Sequence, residues 1–558
     1  MDGRRTPTGA DAGEGGGGEP PWDHVVVGGG SAGCVLAHRL SADPSRRVLL
    51  LEAGPEDRSP WIRVPLGYGK LFADRRHNWM FETEPEPGLG GRRVFQPRGK
   101  VLGGSSAING LLYVRGQPED FAHWRQLGLP GWGWEDVLPA FRRAEDNARG
   151  ACAHHGAGGP LAVSDQADPH PLSDAFVAAA VEAGFARNPD FNGAAQEGVG
   201  YYQVTARRGR RVSAAHGYLT PAVRARPNLR VETGALARRV LFEGRRAVGV
   251  AWRRGGPGGP EVVARAREVV LCAGAFGTPQ LLQVSGVGPA AHLRDRLGVP
   301  VVADLPGVGA NLEDHPQVRA VFRCTRAVTV NDALRNPARA ALAALRWAAL
   351  GRGPLALSAG HAGGFFRTDP ARVATPDVQA LLIPFSTDRM GTRLHPFPGF
   401  IASVCMLRAE SRGTVMARTA DADDAPEIRA NYLSAERDRR TMLDGLRLLL
   451  GILDRPAMRP WVAERLLPAP GAEADEAALA AFLRENVGSI YHPTGTARMG
   501  PDGDAGAVLD ARLRVRGGVG GLRVADASAF PATVSGNTNA AAVMLGERAA
   551  EIAFAEGR

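Results

Sequence analysis

Residues 22–54 read WDHVVVGGGSAGCVLAHRLSADPSRRVLLLEAG, a succession of strand, tight turn, helix and strand. Val25–Val27 is a short β-branched run, and Gly28, Gly30 and Gly33 fit G-x-G-x-x-G. Cys34 to Leu40 has a helical pattern with apolar residues at Val35, Leu36 and Leu40, and Val48–Leu51 is a second buried strand that ends on Glu52. Each part has a physical task. Gly28 permits the turn, Gly30 lets backbone approach a pyrophosphate, and Gly33 lets helix and strand pack closely. The helix start at Ser31 and Ala32 offers unpaired N–H groups and the positive end of the helix dipole. Glu52, 19 residues after Gly33, stands where a carboxylate accepts from both ribose hydroxyls. Together these residues spell a dinucleotide site.

Gly29–Gly33 also fits G-x-S-x-G, the nucleophile elbow of α/β-hydrolases, which is likewise a strand-turn-helix. That elbow normally follows several strands, one of which leads into an oxyanion loop. Here a glycine-rich tail precedes it, and a hydrolase gives no role to Glu52. Ser31 is therefore read as a turn and helix-start residue.

At 558 residues the chain exceeds one simple core, and two domains are expected. Hydrophobic content of 44% and charged content of 22% are those of a soluble globular protein. The net charge is +9, carried almost wholly by arginine, with lysine only at 70 and 100. The charges are scattered among acids, with no basic run interleaved with aromatics, which excludes a nucleic-acid reading. Loose attraction to an anionic membrane surface stays open. The five cysteines, Cys34, Cys152, Cys272, Cys324 and Cys405, are widely spaced and form no C-x-x-C, so they read as free thiols in a reducing compartment and support no metal site. Residues 1–21 are polar and glycine-rich, read as a disordered tail without the apolar core of a secretory signal. No apolar run is long enough to span a membrane. A cytoplasmic protein, free or peripheral on the cytoplasmic membrane, is expected.

Further along, residues 98–110 read RGKVLGGSSAING, small residues that let backbone pass close to a flat ligand, before a helix or strand start at Leu111–Val114. Residues 119–148 read as helices in which Trp124, Trp132 and Trp134 are packing residues, and 172–184 as an amphipathic helix. Strands are expected at Leu229–Glu232, Ala237–Phe242, Ala247–Trp252, Glu261–Arg265 and Glu268–Cys272, a meander inserted in the nucleotide fold. Thr278 as cap and Pro279 in the first turn open a helix. Helices at 335–349 and 438–453 alternate with strands at Val378–Ile383 and Phe400–Leu407. Leu522–Asp526 is a strand ending in an acid, and Asn537–Ala553 a helix whose start faces the cofactor.

Five blocks in order resemble the glucose–methanol–choline (GMC) oxidoreductases. They are VVVGGGSAGCVLAHRL (25–40) with LLLEAG (49–54), GRRVFQPRGKVLGGSSAING (91–110), GAFGTPQLLQVSGVGP (274–289), LPGVGANLEDH (305–315), and YHPTGTARMG (491–500) followed by LRVADASAFPATVSGNTNAAAVMLGERAA (522–550). The resemblance implies an α/β plus α+β architecture. A discontinuous Rossmann-like FAD-binding domain (22–159, 225–320 and 481–558) would hold an inserted substrate domain (160–224 and 321–480) built on an antiparallel sheet with helices. It implies FAD as cofactor. Val101, Gly103, Gly104, Ser105, Asn109 and Gly110 match the block that lies against the flavin. Val240 matches a position whose backbone lies near the adenine, and Asp526 and Ala527 match positions near the phosphates and ring. Some members tether FAD through a histidine in the second block; Ile108 stands there in this chain, which implies non-covalent FAD.

His492 matches the family's active-site histidine, and Asn537 the second active-site position; Asn539 follows in the same N-T-N block and is expected to face the edge of the flavin ring. Of 13 histidines, His492 alone sits in a short turn bounded by Gly, Pro and Thr near the C-terminus. Hydride abstraction from an alcohol needs the hydroxyl proton removed, and histidine suits that task near neutrality. Asn537 cannot take a proton, and positions the alcohol oxygen instead. The expected activity is FAD-dependent oxidation of a primary alcohol to an aldehyde, with a quinone or similar acceptor. Choline oxidation ranks second, because no aromatic cage for a quaternary ammonium is visible in 321–480. An oxygen-using alcohol oxidase, and a lyase or photodecarboxylase on the same fold, are the other readings.

Overall fold

The computed structural model describes residues 20–256, 258–388 and 391–556. The expected tail falls on residues 1–21 and, but for its last two, lies outside the described residues. The first sheet has a parallel core ordered Leu229–Thr233, Val48–Glu52, Trp22–Val27, Glu261–Leu271, with Leu522–Val524 pairing on Glu261–Leu271. Val25–Val27, Leu49–Leu51 and Val269–Leu271 are buried, the unbroken apolar character of strands covered on both faces.

The segments 261–265 and 268–272, expected as two strands, form one strand, Glu261–Leu271. No glycine or proline separates them, so the chain runs on and the partner changes. Its first half pairs antiparallel with Arg246–Arg254, which pairs in turn with Ala235–Glu243, while its second half lies parallel to Trp22–Val27.

A second sheet is antiparallel, ordered Val462–Leu467, Pro316–Cys324, Gly399–Met406, Val378–Ile383, Ala362–Phe366, Gly198–Tyr201. Its two faces separate by the strand period of two. Val318, Ala320, Phe322, Ala402, Val404, Ala380 and Leu382 pack in one core with Phe176, Leu446 and Leu449 of helices Pro171–Glu182 and Glu436–Leu453. The alternate positions Gln317, Arg319, Leu381 and Ile383 border a cavity between the two sheets. Where the sheets meet, Ile62, Tyr68, Phe72, Ile108, Val321 and Ile401 form a joint apolar cluster.

Three local expectations change. The helix assigned to Thr278 begins at Gly274 and runs to Val284, with Pro279 inside it. Proline cannot donate to the carbonyl four residues back; that carbonyl, on Ala275, accepts instead from Thr496 Oγ1 at 2.7 Å. Thr278 Oγ1 donates to Asp526 at 2.6 Å. The C-terminal helix is Asn539–Glu556, so Asn537 lies just before it. Leu111–Val114 is neither helix nor strand; Leu111 has φ of 70° and Leu112 makes one bridge, to Val204. Trp124 and Trp132 are buried packing residues, and four of the five free cysteines are buried, Cys152 being exposed. Among the described residues no helix is long and apolar enough to cross a membrane.

Candidate active site

The cavity between the sheets has a volume of about 500 Å³. At its nucleotide end the three glycines behave differently. Gly28 has φ of 105°, and a Cβ there would overlap the Cys272 carbonyl; a Cβ on Gly33 would overlap the Gly28 oxygen. A Cβ on Gly30 would meet nothing nearer than Cys272 O at 4.0 Å. Fold packing therefore demands Gly28 and Gly33, while Gly30 leaves room on the cavity wall.

Glu52, at the end of its strand, accepts from Gly29 N at 2.9 Å and Gly54 N at 2.7 Å. Burial pushes its carboxyl up to about 7, against those two N–H groups and Lys100. Each oxygen keeps a lone pair for a further donor. Helices Ser31–Leu40, Gly274–Val284 and Asn539–Glu556 all start on this wall, the first without a side-chain cap. Ser31 Oγ donates to Asn539 Oδ1 at 2.7 Å and so ties two of these starts together. Asp526 accepts from Gly274 N at 2.9 Å, beside Ala527, which also lines the wall.

The glycine-rich second block folds over Gly28–Gly33. Gly103 N donates to Gly29 O at 2.7 Å, and a Cβ on Gly104 would stand 2.6 Å from Gly30 Cα. Gly104, Ser105, Ile108, Asn109 and Gly110 line the cavity, whereas Gly33, Val101 and Gly103 sit behind the wall. A fully buried arginine that no motif marks holds this block. Arg211 donates to Asn109 Oδ1 and Asn109 O, both at 2.6 Å, to Ser106 O at 3.2 Å and to Ile62 O at 3.0 Å. Desolvation lowers its guanidinium to about 9. Val240, expected beside the adenine, is off the wall: its N–H is spent on Ser285 Oγ at 2.9 Å, and Ala235–Ala237 of the same strand line the cavity instead. An uncapped helix start, a doubly anchored carboxylate and a side-chain-free Gly30 form a cradle that fits the ribose and pyrophosphate of FAD.

At the other end, His492 and Asn537 meet. Asn537 Nδ2 donates to His492 Nε2 at 3.1 Å, and Gln379 Nε2 donates to Asn537 Oδ1 at 3.3 Å. His492 Nδ1 faces His315 Nδ1 at 3.0 Å. This pattern puts the proton of His492 on Nδ1 and leaves Nε2 as the acceptor. Burial, His315 and Arg98 drive His492 well below the usual histidine range, and burial lowers His315 to about 4. Asp314 fixes the backbone of this turn: its Oδ1 accepts from His315 N and His492 N, each at 2.8 Å, and its Oδ2 from Ser489 Oγ at 2.5 Å.

Asp314 and His315 stood in the quoted 305–315 block without an assigned role. Gln379 carried a signal that went unread, a polar residue in the apolar strand Val378–Ile383. An aromatic wall comes from outside 321–480, with Tyr68–Phe72 and Phe72–Tyr491 ring centroids each 5.7 Å apart.

The GMC oxidoreductase family profile matches residues 22–317 and 409–546. The chain is 42% identical over 532 residues to the alcohol dehydrogenase (acceptor) of Pseudomonas putida, covering 95% of each chain. It is 42% identical over 542 residues to the mitochondrial choline dehydrogenase of Mus musculus, covering 96% of this chain and 90% of that one. Pyridoxine 4-oxidase from Mesorbium loti matches with a TM-score of 0.84 at 32% identity, over 95% of this chain and 98% of that one. Formate oxidase from Aspergillus oryzae RIB40, whose FAD modification has been studied, matches with a TM-score of 0.87 at 25% identity, over 96% and 98%. The chain belongs to the GMC oxidoreductases, a family of FAD-binding flavoproteins.

Proposed function

We propose that this enzyme oxidises a primary alcohol to an aldehyde, with FAD held non-covalently along the cavity. The observation that carries the reading is the His492–Asn537 pair at 3.1 Å on the cavity wall, with the imidazole neutral. FAD, when bound, supplies the hydride acceptor. His492 takes the hydroxyl proton at Nε2, and Asn537 Nδ2 donates to the alcohol oxygen as negative charge gathers there. Gln379 fixes the amide orientation that this donation needs. Gly28, Gly30, Ser31, Ala32 and Glu52 would hold the adenosine and pyrophosphate; Gly104, Ser105, Asn109, Gly110 and Ala527 would lie along the flavin. Ile108 offers no nucleophile for a tether, so denaturation should release the yellow chromophore.

A quinone-like acceptor and a cytoplasmic location, peripheral on the membrane, complete the reading. Helix Pro337–Leu350 supports the membrane association. Leu342, Leu345 and Leu350 are 65%, 66% and 66% exposed, Arg339 lies beside them, Arg346 pairs with Asp168 at 3.6 Å, and the helix carries no acid. The helix packs on turn Pro354–Ala356, which packs on Pro65–Gly67, the turn leading into Tyr68 and Phe72 of the cavity wall. Such a face suits an anionic bilayer surface, apolar side chains inserting and Arg339 meeting headgroups.

Choline is the second reading, favoured by the Tyr68–Phe72–Tyr491 aromatic wall. A panel of alcohols, choline included, with an artificial acceptor dye tests the proposal. Dye reduction by primary alcohols with little peroxide in air is expected. Peroxide at the dye-linked rate would make it an oxidase, and flavin that no alcohol reduces in the dark would leave the lyase readings.

A further inference from the structure

The substrate-side wall carries a cation with no partner. Arg319 lies two residues past Gln317 on strand Pro316–Cys324, and both residues border the cavity. The register puts Arg319 opposite Ser403, and Ser403 opposite Leu381. Among the described residues, no hydrogen bond or ion pair engages the Arg319 guanidinium. The four carboxylates on the wall are committed at the nucleotide end: Glu52 to backbone N–H groups, Asp526 to Gly274 and Thr278, Asp423 to Arg238 and Arg253, and Asp424 to Thr419.

A second unspent group lies nearby. Tyr68 is 2% exposed, borders the cavity, and its hydroxyl has no partner. Burial raises its phenol, so it stays a donor. Tyr68 shares an apolar cluster with Val321, which lies two residues along the strand from Arg319 and so on the same face of the sheet. A buried donor left unpaired is costly, and one anion would satisfy it together with the unpaired cation.

We propose that the alcohol substrate carries a carboxylate, bound by the Arg319 guanidinium and the Tyr68 hydroxyl while its carbinol end lies against His492 and Asn537. The proposal rests on the alcohol-oxidising reading of the same site. A planar guanidinium receives a carboxylate through two parallel N–H bonds. A phosphate dianion would call for a second cation; of the other two on the wall, Arg98 donates to the Pro97 and Tyr491 carbonyls and Lys100 lies over the Trp79 ring. Arg319 also discriminates against choline: a quaternary ammonium on the aromatic wall meets a like charge with no carboxylate beside it.

The test uses the holoenzyme with an acceptor dye. Straight-chain hydroxy carboxylates, with the hydroxyl at the end opposite the carboxylate, are compared with 1-alkanols of equal length and with choline. The best carboxylate should exceed its alkanol by at least about tenfold in kcat/KM, the worth of one charge-assisted bond. Arg319→Leu should bring that ratio to about one, and Arg319→Glu should invert it and favour choline. Hexanoate, which cannot be oxidised at a carbinol, should bind the wild-type holoenzyme in a calorimetric titration and fail to bind Arg319→Leu. Should Arg319→Leu not retain flavin, Tyr68→Phe, which deletes one hydroxyl, should still lower the ratio several-fold. Equal kcat/KM for carboxylates and alkanols in the wild type, or an undiminished preference in the variants, overturns the proposal. Failure of the underlying reading looks different: no alcohol of any charge reduces the flavin, and the subsite assignment goes with it.

Discussion

His492 owes its usefulness as a base to what surrounds it. Burial, with His315 and the Arg98 charge nearby, keeps it neutral, and Asn537 in front and His315 behind fix which nitrogen is bare. Gln379→Leu removes the donor that orients Asn537. Steady-state assay should show kcat down about tenfold to a hundredfold with little change in KM, because the lost interaction acts mainly in the transition state. The glycines give a second residue-scale prediction. Gly30→Ala adds a Cβ with 4.0 Å of clearance from the protein, so flavin-free stability should change by less than about 1 kcal/mol while flavin affinity falls at least tenfold. Gly33→Ala drives a Cβ into the Gly28 carbonyl and should cost several kcal/mol of stability in a denaturant titration. His492 and Asn537 were legible because each falls in a block that resembles the family's. The roles of Arg211 and Gln379 were not, since they come from partners 102 and 158 positions away in sequence, although a polar residue in an apolar strand marks Gln379.

Strand ends and helix starts set the cofactor end. Val48–Glu52 delivers Glu52 to two backbone N–H groups in a dry site, which holds its carboxyl at about 7 in the flavin-free protein. Ribose hydroxyls would favour the ionised form, so binding should release a proton wherever the free carboxyl is protonated. FAD affinity should therefore be flat above about pH 7 and weaken as pH falls below it, by at most about tenfold per unit. Fluorescence titration of FAD across that range checks this, and Glu52→Gln should bind more weakly with the slope gone. The parallel strands were legible because they are unbroken apolar runs between turn residues. The helix start at Gly274 is not legible because Pro279 normally marks a first turn; a hydroxyl from Thr496 makes its interior position tolerable. No spacing rule foresees that compensation.

On the scale of the whole molecule, two sheets face one cavity and divide its labour: the parallel sheet supplies the cradle, and the antiparallel sheet the wall that bears Gln317, Arg319 and Leu381. The two-sheet plan was legible in the order of the blocks. The aromatic wall was not, because Tyr68, Phe72 and Tyr491 are joined only by folding. The apolar face of Pro337–Leu350 makes a prediction at this scale. Replacing Leu342, Leu345 and Leu350 with serine should weaken flotation with anionic phosphatidylserine vesicles by about tenfold per leucine, while dye-linked turnover persists; undiminished flotation would remove the membrane role. The central claim, that His492 on a cavity shared with Gly28–Glu52 takes the alcohol proton, is tested most directly by anaerobic mixing with a primary alcohol in the dark while the visible flavin band is followed. The wild-type band should bleach, and His492→Ala, loaded with the same flavin, should bleach roughly 10²- to 10⁴-fold more slowly. Bleaching of His492→Ala at the wild-type rate would contradict the account.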